Sequence, residues 1–182
     1  MRIIGGEYGG RKIKPPANMP HTRPTTDIAK EGLFNIFENN LELSQLKTLD
    51  LFGGTGSISY ELASRGVKDL TIVEKDPKMH GFIQSTVGLF PGHQFQVIRM
   101  DVFSFIRQSE GKFDLIFAGP PYALSNIDEL PVEIFKHGLL NESGWFVLEH
   151  TPRNDYQKFP HFRTFRNYGT TIFSIFLNKE NN

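Results

Sequence analysis

The sequence predicts an α/β domain built on a mostly parallel sheet of seven strands, preceded by a small β-hairpin. Three observations carry this expectation. Short, continuous apolar segments alternate with helical ones from Lys47 to Glu149, the pattern of strands buried on both faces by helices. A glycine-rich turn follows the first of these strands, at the place where open α/β sheets hold their ligands. Two strand-like segments, Phe162–Tyr168 and Thr171–Leu177, meet at Gly169 and close the chain as an antiparallel hairpin.

Each element has a local reason. Arg2-Ile3-Ile4 and Arg11-Lys12-Ile13-Lys14 flank a Gly-Gly-x-x-Gly-Gly turn, so residues 2–14 read as a hairpin in which glycine supplies positive φ. Pro15-Pro16 through Pro24 is an extended linker. Thr25-Thr26-Asp27 starts a helix with a hydroxyl cap and a first-turn carboxylate. Ile28, Leu33, Ile36, Phe37 and Leu41 then follow at near-helical spacing. Strands are expected at Thr48–Phe52, Leu70–Val73, Phe95–Met100, Phe113–Phe117 and Gly144–Glu149, with helices at Ile58–Arg65, 77–89, 102–108 and 127–139. The chain thus divides into a basic hairpin and linker, 1–24, and an α/β domain, 25–182.

Composition narrows the chemistry. The 182 residues include 38% apolar side chains and 17 Phe, enough for a buried core. There is no cysteine, which removes disulfides, thiolate nucleophiles and Cys-based zinc sites. The six histidines form no close-spaced pair, so no metal site is expected. No apolar stretch approaches the ~20 residues of a membrane span, and Met1-Arg2-Ile3-Ile4-Gly5-Gly6 lacks a signal-peptide block. A soluble, cytoplasmic, metal-free protein is the expectation. Lys+Arg and Asp+Glu balance at 20 each, but unevenly along the chain. Residues 1–30 carry six basic groups against two acidic, and 151–182 carry five against two. Either the ends hold a polyanion or these are solvated surface charges.

The chemistry-bearing residues lie at the ends of the expected strands. Asp50-Leu51-Phe52-Gly53-Gly54-Thr55-Gly56 joins the first strand to a helix, with Asp50 aimed into the crevice and Gly54 and Gly56 allowing close approach of a ligand to the backbone. The dinucleotide fingerprint needs a third glycine, and Ser59 stands there. Glu74 ends the second strand, 18 residues after Gly56, with Lys75 beside it; a carboxylate there accepts the hydroxyls of an adenosine ribose. Asp76 reads as a helix cap. Asp101 is either a cap or an acceptor for an adenine amino group, with the Val102 amide serving the ring. Phe117-Ala118-Gly119-Pro120-Pro121-Tyr122 follows the fourth strand and resembles the (Asp/Asn)-Pro-Pro-(Tyr/Phe) loop of amino-methyltransferases. An exocyclic amine conjugated with its ring is a poor nucleophile. Acceptors on its N–H groups orient the lone pair, while an aromatic ring stacks on the base.

The resemblance extends over nearly the whole chain. Arg2-Ile3-Ile4-Gly5-Gly6, Gly10-Arg11-Lys12, Thr22-Arg23-Pro24-Thr25-Thr26-Asp27, Lys30-Glu31, Phe34-Asn35, Asp50-Leu51-Phe52, Ser64-Arg65-Gly66, Val73-Glu74-x-Asp76 and Pro120-Pro121-Tyr122 are similar to the bacterial small-subunit (16S) ribosomal RNA guanine-N2 methyltransferases of type D. That resemblance implies a class I, Rossmann-like methyltransferase fold using S-adenosyl-L-methionine. It places the cofactor on Asp50, Phe52, Gly54, Gly56, Glu74, Lys75, Asp101 and Val102, and the chemistry on Gly119, Pro120, Pro121 and Tyr122. Arg2, Arg11, Lys12, Arg23 and Thr25 would contact ribosomal RNA, free or in an assembling particle. A monomer is expected, with the hairpin dispensable for cofactor binding and Lys30 a solvated charge. The sequence departs from the family at Gly53, usually alanine, and at Gly119, where the family carries an acidic residue. The alternatives are an amino-methyltransferase of DNA adenine or protein glutamine, and an RNA-binding protein whose catalysis is impaired at Gly119. A nicotinamide oxidoreductase would leave Pro-Pro-Tyr without a role. Restoring a carboxylate at 119 is expected to raise methyl transfer, provided the backbone there does not require glycine.

Overall fold

The computed structural model describes residues 1–19 and 24–179. Helix α1 (Asp27–Asn40) precedes β1 (Lys47–Leu51), α2 (Ser57–Ser64), β2 (Asp69–Val73), α3 (Pro77–Thr86), β3 (Gln94–Ile98), α4 (Val102–Gln108), β4 (Phe113–Ala118), α5 (Glu129–Lys136), β5 (Leu140–His150), β6 (Phe162–Tyr168) and β7 (Thr171–Leu177). Seven strands form one sheet in the order β3-β2-β1-β4-β5-β7-β6. The first five are parallel to one another, and β7 runs antiparallel between β5 and β6. The α/β sheet expected from the alternation is present. Its order reverses between β1 and β4, so a crevice opens at their carboxyl ends.

The boundaries shift by a few residues. Strand β5 begins at Leu140 rather than Gly144, passing through Ser143 at φ 65°. Helix α5 is shorter than 127–139, and α3 ends at Thr86 before a 3-10 turn over Val87–Leu89. The caps behave as the sequence suggests. Thr26 accepts from the Ala29 amide, and Asp76 accepts from the Met79 amide at 3.0 Å with Pro77 in the first helical position.

Alternate residues of each strand feed two cores, one on each face. Leu115 and Phe117 pack with α1, α2 and the hairpin, whereas Ile116 and Ala118 pack with α4 and α5. The hairpin belongs to the first of these cores. Ile3 and Ile13 are buried against it, and one bridge, Arg2 to Lys12, holds the two arms.

A buried carboxylate fastens the hairpin down. Glu61 of α2 accepts from the amides of Ile4 and Gly5 at 2.9 and 3.0 Å, and pairs with Arg65 at 2.8 Å and Lys30 at 3.3 Å. Burial alone would raise its pKa; the two amides, Arg65 and Lys30 together hold it below the usual carboxylate range. Lys30 is therefore not the solvated charge expected of it. It is 2% exposed and donates to the Arg2 carbonyl at 2.7 Å, because α1 turns this face onto the hairpin and α2. Burial lowers its pKa, with Glu61 opposing. Removing the hairpin would expose both isoleucines and leave Glu61 without its two amides, so the arm is not a detachable appendage. Glu61→Ala should cost about 3–5 kcal/mol in urea unfolding, the penalty of stranding buried partner charges.

Candidate active site

The turn after β1 is held in a conformation most residues avoid. Phe52, Gly54 and Gly56 lie at φ 61°, 61° and 87°. A bulky side chain in the left-handed region costs on the order of 1–3 kcal/mol and persists where the surroundings impose it. Here the Gly53 amide donates to the Val73 carbonyl at 2.9 Å, and the Gly56 amide to the Gly53 carbonyl at 2.8 Å. A Cβ at Gly53 would meet Ile72 Cγ2 at 2.5 Å, which accounts for glycine at that departure from the family. A Cβ at Gly54 would make only ordinary van der Waals contact, with Met79 Cε at 3.7 Å, so φ rather than crowding favours glycine there. Gly56 has a reason beyond the one expected. Its Cβ would strike the Tyr60 ring at 2.3 Å, so helix packing and φ both require glycine here.

Glu74, 8% exposed, binds this turn to β2. Its two oxygens accept from the Gly54 amide at 2.9 Å and the Asp76 amide at 2.8 Å. Lys75 is exposed beside it. Asp101 is exposed and caps α4 through the Ser104 amide at 3.0 Å, while Val102 behind it is buried.

Asp50 lies inside the crevice, 3% exposed, and accepts from the Ser59 hydroxyl at 2.8 Å. Burial, reinforced by the carboxylates of Glu74 and Glu149 and opposed by Ser59, pushes its carboxyl up to about 7. With Phe52, Phe117, Gly119, Thr25 and Glu149 it lines a pit of about 60 Å³ at the sheet reversal.

The loop after β4 forms the other wall. Register places Leu51 opposite Ala118 and Ala118 opposite Leu148, so Gly119 emerges between the ends of β1 and β5. Pro120 is buried, Pro121 exposed and Tyr122 half-buried, with the Leu124 amide turning back to the Pro121 carbonyl at 2.9 Å. The φ at Gly119 lies outside the left-handed region, so its backbone does not demand glycine. Sequence reasoning missed Glu149. It is 6% exposed, accepts from the Thr25 hydroxyl at 2.7 Å, and so ties the segment after the linker to the sheet. The signal was available: β5 is an apolar run ending in a carboxylate, as the runs before Asp50 and Glu74 are.

Of the residues expected to hold RNA, Thr25 lines the pit, whereas Arg2, Arg11 and Lys12 do not. Arg2 pairs with Asp27 at 2.8 Å on the surface. Arg11 donates to the Leu89 carbonyl at 2.8 Å and stacks over Tyr8, 4.6 Å from the ring centroid, and Lys12 is exposed. Arg23 falls outside the described residues. Among the described residues, no helix is long and apolar enough to cross a membrane, and no group of three or more metal-ligating side chains is gathered.

The model of the family described as Conserved hypothetical protein 95 matches residues 1–177. The chain belongs to that family. It is 30% identical over 149 residues to Ribosomal RNA small subunit methyltransferase D of Escherichia coli K12, covering 82% of this chain and 71% of that one. The Haemophilus influenzae protein of the same name is 32% identical over 149 residues, covering 80% and 72%. Among solved structures, a hypothetical protein of Thermus thermophilus superposes with a TM-score of 0.80 at 27% identity, covering 97% of this chain and 98% of that one.

The raised Asp50 carboxyl has a consequence for stability. The folded state holds this proton more tightly than the unfolded chain, whose Asp titrates near its ordinary 3.8. Its contribution is therefore fully present below the unfolded value, declines as pH rises towards about 7, and levels off above. Relative to Asp50→Asn, the wild type should lose about 2 kcal/mol more between pH 5 and 7.5 in urea unfolding.

Proposed function

We propose that this protein transfers a methyl group from S-adenosyl-L-methionine to the exocyclic N2 of a guanine in small-subunit ribosomal RNA. The observation that carries the proposal is the meeting, at the β1/β4 reversal, of a glycine turn, three buried carboxylates and the Gly119-Pro120-Pro121-Tyr122 loop. The resemblance of that loop and of the Arg-Pro-Thr-Thr-Asp segment to the guanine-N2 enzymes supports the choice of target. The names of the family members in Escherichia coli and Haemophilus influenzae support the choice of RNA.

The residues present fit the cofactor. Glu74 spends one lone pair of each oxygen on backbone amides, and a carboxylate has about four acceptor sites, so it has capacity for ribose hydroxyls. Glycine at 54 leaves no side chain between a ligand and the turn, and Asp50, when ionised, favours positive charge. When bound, S-adenosyl-L-methionine supplies an electrophilic methyl group on a sulfonium. The chain's part is to position and to exclude water. Tyr122 offers a ring for the base to stack on, and the Pro120 carbonyl accepts from the amine, orienting its lone pair. Arg11 and Lys12 hold phosphates without reading sequence. We place the protein in the cytoplasm as a monomer that needs no metal, since the methyl group arrives already activated.

Mass spectrometry of ribosomal RNA from cells with and without the gene should show one N2-methylguanine lost; an unchanged modification profile would refute the assignment. Glu74→Ala should weaken cofactor binding by about 10-fold to more than 100-fold in calorimetry, the worth of a hydrogen bond to a charged group.

A further inference from the structure

We propose that Glu149 is the acidic acceptor for the substrate amine in this chain, supplying from β5 the group that position 119 lacks. This rests on the amino-methylation reading above. A Cβ built on Gly119 lies 3.4 Å from Glu149 Oε2, so the carboxylate already borders the volume a side chain at 119 would occupy. The pairing of Ala118 with Leu148 sets this juxtaposition, because the next residue along each parallel strand is Gly119 or Glu149. Both line the same pit as Asp50 and Phe117. Thr25 donates to the other oxygen, Oε1, at 2.7 Å, which holds the carboxylate plane with Oε2 towards Gly119. Phe117 Cε1 stands 3.1 Å from the same Cβ position, so a side chain at 119 needs that ring to give by a few tenths of an ångström.

The chemistry needs an acceptor there. As the amine nitrogen forms its bond to the methyl carbon with its lone pair, the carbon–sulfur bonding electrons stay on sulfur. The nitrogen then carries a surplus proton. Glu149 accepts that N–H and passes the proton to water, leaving a neutral methylated amine. An acceptor preorganised in the pit contributes most as this charge develops, so its loss appears in the transfer step and not in cofactor binding.

The test compares single-turnover methyl transfer to 16S ribosomal RNA with calorimetric cofactor affinity. Glu149→Ala should slow transfer by about 100-fold, the cost of removing one such group from a preorganised site, with cofactor affinity near that of wild type. Adding Gly119→Asp to Glu149→Ala moves the acceptor back to the loop and should recover at least a tenth of the wild-type rate. Thr25→Val, which removes one hydroxyl bound to Glu149, should slow transfer far less than Glu149→Ala. A Glu149→Ala protein at the wild-type rate overturns the inference. So does a double variant without recovery when Thr25→Val is as slow as Glu149→Ala, since Glu149 would then only anchor the linker. If circular dichroism shows Glu149→Ala unfolded, Glu149→Leu, whose side chain accepts no hydrogen bond, takes its place with and without Gly119→Asp, and absence of recovery again counts against the inference. A wild type that transfers nothing refutes the functional reading itself, whereas an active wild type matched by its variants refutes only the role of Glu149.

Discussion

Parallel pairing of β1 with β4 sets the geometry on which the rest of this molecule depends. Because the sheet order reverses between these strands, no helix covers their carboxyl ends and two loops diverge there. The register Leu51 to Ala118 brings the strained glycine turn and the proline loop to the same height. Pairing of Leu51 with Val73 and of Ala118 with Leu148 adds the ends of β2 and β5, and with them Glu74 and Glu149. Three buried carboxylates from residues far apart in sequence thereby come close enough for Glu74 and Glu149 to act on Asp50. Their mutual repulsion and burial keep Asp50 only partly ionised near neutrality.

Such a site is stabilised from outside itself. The turn tolerates Phe52 at positive φ because the Gly53 amide is bound to the Val73 carbonyl and Glu74 clamps the Gly54 and Asp76 amides. On the opposite side, Glu61 organises the hairpin through two amides and two cations, and Thr25 reaches Glu149. The basic N-terminal segment is thus joined to the crevice by packing and by hydrogen bonds. An arm anchored in this way holds Arg11, which donates to the Leu89 carbonyl and stacks over Tyr8, at a fixed orientation on the surface of the domain.

Gly119 illustrates how a departure from a family pattern depends on its neighbours. In the sequence it reads as a missing acceptor. In the structure the position is bounded by Phe117 and by the carboxylate of Glu149, so the chemical character of the pit is retained although the residue supplying it lies 30 positions later.

Much was legible in the sequence, because local chemistry and periodicity are properties of short segments. The alternation of apolar runs and helices, the caps at Thr26 and Asp76, the glycine turn and the Pro-Pro-Tyr loop all appear where they were expected. So does the family, since its motifs are contiguous. What the tertiary structure alone decided are pairings across the chain. Lys30 became a buried partner of Glu61 because α1 packs over α2, and no local pattern separates that lysine from a solvated one. Gly56 is glycine for the Tyr60 ring as well as for φ. Glu149 joined the site because parallel register sets β5 beside β4, a relation between residues distant in sequence that only the folded sheet creates.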